Sequence, residues 1–102
     1  MTPEIAARLA RCGIQLAAES PEYSMFTRGA CVALASAAAA GSGIGGSGMM
    51  TDTGLAFLVW RDGVPYLAAR GGETPASDAQ VEEIRRFSLD LKCALGADSG
   101  GA

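Results

Sequence analysis

Residues 54–70, GLAFLVWRDGVPYLAAR, set two apolar runs on either side of Asp62-Gly63, and this arrangement constrains the fold more than any other stretch. Both runs, 55–60 and 64–69, are short and rich in aliphatic and aromatic residues that suit a pleated surface, so they read as two antiparallel strands. Asp-Gly is a preferred pair for a two-residue type I′ connection, in which both central residues take positive φ. An isolated hairpin is marginally stable in water, so other elements must cover it. The predicted fold class is α+β: an antiparallel sheet built around the 54–70 hairpin and packed against an N-terminal and a C-terminal helix.

The flanks supply those helices. Thr2-Pro3-Glu4 has the signature of a helix start, and Ile5, Leu9, Cys12 and Leu16 recur at helical spacing, which predicts a first helix running to about Glu19. Ser20-Pro21 then reads as a fresh helix start. At the other end, Ser77 and Gln80 form a capping box, Val81, Ile84, Phe87, Leu91 and Leu95 mark one face, and Gly96 closes the helix. The chain is expected to be a single domain over 1–96 with a flexible tail at 97–102, since 102 residues leave no room for a second core.

Between these elements the pattern is ambiguous. Over 23–40, alanine density and the stop at Gly41 favour a second helix, whereas Phe26, Arg28, Ala30, Val32 and Leu34 also suit one face of a strand. Propensity favours the helix; a strand reading would extend the sheet. Residues 41–48, GSGIGGSG, read as a connector, followed by a turn at Thr51-Asp52-Thr53-Gly54. Pro65 cannot donate to a ladder, which predicts an edge strand or a position facing away from any partner.

Composition excludes several chemistries. There is no histidine, which removes Ser-His-Asp and Cys-His catalysis, histidine metal ligation and an imidazole switch. Cys12, Cys31 and Cys93 are odd in number and widely spaced, which argues against a disulfide framework or a structural zinc site and for thiols in a reducing, cytoplasmic setting. A net charge of −3 gives no general attraction to nucleic acid. The uncharged run 29–51 is long enough to cross a bilayer, but its alanine, glycine and serine content argues against a membrane span. No catalytic residue, metal or cofactor is expected.

The function expected from the residues is a non-catalytic protein–protein interaction module: a small bacterial-type adaptor, inhibitor or accessory subunit, with a homodimer among its possible states. Trp60, Arg61, Pro65 and Tyr66 at the hairpin are the expected contact residues, because large amphipathic side chains concentrate at interfaces. The alternative is a small-ligand or phosphate-binding domain that uses the backbone of Gly43, Gly45, Gly46 and Gly48, with Asp52 nearby. Its glycine pattern imitates GxGxxG, but a dinucleotide fingerprint needs a helix directly after the loop, where this chain has the hairpin.

Overall fold

The computed structural model describes residues 3–36, 44–52 and 54–96. Helix α1 (Pro3–Arg11) leads into strands β1 (Gln15–Glu19), β2 (Tyr23–Arg28), β3 (Cys31–Ser36), β4 (Ile44–Thr51), β5 (Gly54–Arg61), β6 (Val64–Ala69) and β7 (Gly72–Pro75), followed by helix α2 (Asp78–Leu95). The strands form one antiparallel sheet in sequence order, β1-β2-β3-β4-β5-β6-β7. Tight turns enforce this meander, because Arg28 pairs with Cys31, Thr51 with Gly54, Arg61 with Val64 and Ala69 with Gly72. The central hairpin is as expected. Asp62 at φ 54 and Gly63 at φ 79 give the type I′ sign pattern, whose twist matches that of the flanking strands.

Helix α2 lies across one face of the sheet. Ser77 accepts from the Gln80 amide at 3.1 Å while its own amide donates to the Gln80 side chain at 2.9 Å, and Gly96 closes the helix in the left-handed conformation. Ile84, Phe87, Leu91 and Ala94 then face inward and are buried. They meet Phe26, Cys31, Ala33, Met49, Ala56 and Leu67 from the sheet, in a core that also takes in Leu9 of α1 and Ile14. Each large side chain so enclosed contributes roughly 1.5–3 kcal/mol. The alanines let the helix approach the strands closely, and Ser88 of α2 donates to the Ser47 hydroxyl of β4 at 2.8 Å.

Several expectations are corrected. The first helix ends at Arg11 rather than near Glu19: Gly13 takes φ 71, and the chain turns into β1. Ser20 caps no helix; its hydroxyl accepts from the amides of Glu22 and Tyr23 and organises the β1–β2 turn. Residues 23–36, where helix propensity pointed the other way, form β2 and β3, and from Ile44 onward the expected connector is strand β4. The 97–102 tail and Gly41–Gly43 lie outside the described residues.

Pro65 is also not on an edge, since β7 flanks β6. In a two-residue hairpin the Arg61–Val64 pair is hydrogen-bonded, so position 65 bonds outward, toward β7. There the Ala76 amide donates to the Pro65 carbonyl at 3.1 Å. The reciprocal bond is the one a proline cannot make, and β7 ends at Pro75, one residue before this point. Among the described residues, no helix is long and apolar enough to cross a membrane.

Candidate functional site

Successive side chains of a strand point to opposite faces, so the register divides the sheet cleanly. Cys31, Ala33 and Ala35 of β3, Met49 of β4, Ala56 and Leu58 of β5 and Leu67 and Ala69 of β6 belong to the core beneath α2. Their neighbours in sequence point the other way, and among the described residues no helix covers them. That second face carries Tyr23, Met25 and Thr27 on β2, Val32 and Leu34 on β3, Met50 on β4, Leu55, Phe57 and Val59 on β5, and Val64, Tyr66 and Ala68 on β6. None of these residues contributes to the core under the helix.

The face is apolar where an ordinary outer face is polar. An antiparallel sheet with one wet side alternates apolar and polar residues, whereas β5 runs Leu55-Ala56-Phe57-Leu58-Val59 without a polar member. On β2, β3, β4 and β5 as far as Val59, no described side chain on this face is charged. Charges stand only at the rim, where the Arg61 guanidinium donates through Nε to the Glu73 carboxylate at 2.7 Å, forming an ion pair between β5 and β7 across β6. That pairing raises the arginine's pKa and lowers the glutamate's.

The relief of the face comes from glycine. Gly46 and Gly48 of β4 present no side chain on this face beside Leu34 and Val32 of β3, which leaves a short furrow that ends at the exposed Met50. Beyond the last β4–β5 pair, Gly48 with Phe57, a groove of about 420 Å³ is bounded by Tyr23, Leu34, Ala35, Gly46, Phe57, Leu58 and Val59, with Glu22 at its end. Phe57 leans over Gly46, where an added Cβ would stand 3.1 Å from the ring. On the same face Val32 is buried, while Met50 at 53% and Tyr23 at 41% exposure stand proud of it.

The expected contact residues divide between the two faces. Trp60, 59% exposed, pairs with Pro65 on the side of α2, beyond the reach of the helix, whereas Arg61 and Tyr66 stand on the uncovered face. They do not form one patch at the hairpin tip. Tyr66 instead joins Val59 and Phe57 as part of a broader surface. The missed residues are Leu34, Leu55, Phe57 and Val59. Their signal was the unbroken apolar run in 55–60: consecutive apolar residues in a strand supply both faces, and one helix covers only one of them.

The glycine-based alternative is placed differently. Gly43 lies outside the described residues, and Gly45, Gly46 and Gly48 belong to β4, where Gly48 pairs with both β3 and β5, Gly46 pairs with Leu34 of β3, and Gly45 falls at a register shift. Asp52 is exposed in the β4–β5 turn, where the Thr51 hydroxyl donates to the Gly54 carbonyl at 2.7 Å. It borders a separate hollow on the α2 side of the sheet, with Ala56, Leu67, Ala69 and Thr74 among its walls. The chain matches no family model, no curated protein and no solved structure.

Proposed function

We propose that this chain is a non-catalytic interaction module that binds another protein surface through the face of the sheet opposite α2. The observation that carries this reading is the charge-free apolar surface over β2–β5, continued onto β6 by Tyr66 and Ala68. Contiguous exposed apolar patches beyond a few hundred Å² are rare on proteins that act alone. Aromatic residues and methionine, supplied here by Tyr23, Phe57, Tyr66 and Met50, are enriched at interfaces. The roles of adaptor, inhibitor or accessory subunit all require such a surface.

A photo-crosslinking phenylalanine analogue placed at Tyr66, and separately at Leu89 on the exposed side of α2, tests the reading inside the producing cell. Adducts heavier than the chain at position 66 but not at 89 support it. Absence of adducts at 66, in a variant that keeps its far-ultraviolet circular dichroism, overturns it.

A further inference from the structure

Resting on the contact reading above, the geometry points to a second copy of this chain as the occupant of the uncovered face, in a back-to-back sandwich related by a two-fold axis.

A two-fold interface uses the same patch on both partners, so the patch must be complementary to itself in charge and in shape. Charge meets this condition. The interior of the face is neutral, and the charges at its rim, the Arg61–Glu73 pair and Glu22, lie away from the centre, so two copies meet without like charges opposed there. A chain of net charge −3 that meets its own copy benefits from holding its unbalanced charge elsewhere.

Shape meets it through the neighbouring furrow and ridge. The Gly46 and Gly48 positions leave β4 low up to Met50, and next to it β5 carries Leu55, Phe57 and Val59, with the Phe57 ring leaning over Gly46. A two-fold axis parallel to the strands, midway between β4 and β5, exchanges these two strands between copies. Phe57 of each copy then lies over the other's Gly48, and Leu55 over its Met50, with the sheets at the spacing of about 10 Å typical of aligned sandwiches.

The area is sufficient. With this axis β3 lies over the partner's β6 and β2 over its β7, so the strands that meet are β2 to β7; about 4.8 Å apart and about 20 Å long, they give a footprint of about 550 Å² per copy, or about 1,100 Å² for the pair, the size at which biological interfaces begin. The association is therefore expected near the weak end of stable dimers.

Sedimentation equilibrium on the whole chain at about 100 μM tests the proposal, because interfaces of this size reach micromolar affinity. The expected result is twice the 10.3 kDa chain mass. Val59→Lys should raise the dissociation constant at least about tenfold, since each copy would bury an unpaired ammonium. Leu16→Lys, at the β1 edge, should leave it unchanged. Met50→Lys, whose site is already half exposed in the single chain, serves as a second face variant should Val59→Lys fail to fold. A monomeric wild-type chain overturns the proposal, as does a dimer dissolved by Leu16→Lys but by neither face variant. A monomer that still gives Tyr66 adducts in the cell refutes only the second copy; a monomer without them refutes the contact reading as well.

Discussion

The guanidinium of Arg28 on β2 donates to the carboxylate of Asp90 on α2 at 2.7 Å, tying the second strand to the last helix across 62 residues of sequence. The same nitrogen donates to the Cys12 carbonyl at 3.1 Å, just beyond α1, and the guanidinium lies 5.6 Å from the centre of the Phe87 ring. One side chain thus holds three elements together at the margin of the core.

Arg28→Ala should therefore cost more than the visible ion pair. Loss of the hydrogen bond to the Cys12 carbonyl, the contact with Phe87 and the ion pair together predicts about 2 kcal/mol. Asp90→Asn removes only the charge of a half-exposed partner and should cost about 0.5 kcal/mol. Urea titration of both variants, with unchanged denaturant slopes, checks the ratio between them.

The cysteines should separate by reactivity. Cys31 is 1% exposed, and burial first, then the nearby Glu83, pushes its thiol above the ordinary value, against a smaller lowering by Arg28. Since the thiolate is the reacting form, Cys31 should resist a maleimide while the chain is folded, whereas the exposed Cys93 should label within the dead time of ordinary mixing. Mass spectrometry of peptides from native and urea-unfolded protein reads the difference. Equal labelling of Cys31 and Cys93 in the native state would contradict the placement of β3 under α2.

What could be read from the chain before its fold was known divides along a physical line. The hairpin and α2 were legible because their determinants are local: the Asp62-Gly63 turn in one, the Ser77–Gln80 box and a 3.6-residue stripe in the other. β2 and β3 were misread because Ala33 and Ala35 raise helix propensity. Those alanines answer a tertiary need, as they lie in the sheet core beneath α2. β4 was hidden by glycines that read as a connector. Gly48 is required there because the neighbouring strand leaves no space for a side chain. The candidate surface was half visible. Tyr66 is among the expected contact residues, but the run 55–60 reads as a strand to be covered by other elements, although Leu55, Phe57 and Val59 belong to the outer face.

At the start of α2, Glu82 accepts from Arg85 at 2.6 and 2.9 Å and from Arg86 at 3.1 Å. Arg85 first, then Arg86, draws its pKa down from 4.5 to about 2. A carboxylate with a lowered folded-state pKa contributes stability that is fully present above its unfolded value and lost as pH falls through the folded one. The window is therefore from 4.5 down to about 2. The urea midpoint of wild type should exceed that of Glu82→Gln at neutral pH, and the gap should close across this interval. Because these groups are at the surface, the gap should also shrink as salt is raised toward about 1 M.

Gly48 offers the sharpest test of the sheet. A Cβ built there would overlap the Ala56 carbonyl oxygen and stand 2.7 Å from the Phe57 Cα, both backbone atoms that cannot move aside without breaking the β4–β5 pairing. Gly46 meets only the Phe57 ring, at 3.1 Å, and a ring can tilt. Gly71, in the β6–β7 turn, meets nothing within 4 Å. The expected order for substitution by alanine is thus about 3 kcal/mol or more at Gly48, about 1 kcal/mol at Gly46, and within about 0.5 kcal/mol of wild type at Gly71. Thermal and urea unfolding of the three variants establish the order. A Gly48→Ala chain as stable as Gly71→Ala would mean that β4 and β5 do not approach in this register, and the furrow beside Phe57 would go with it.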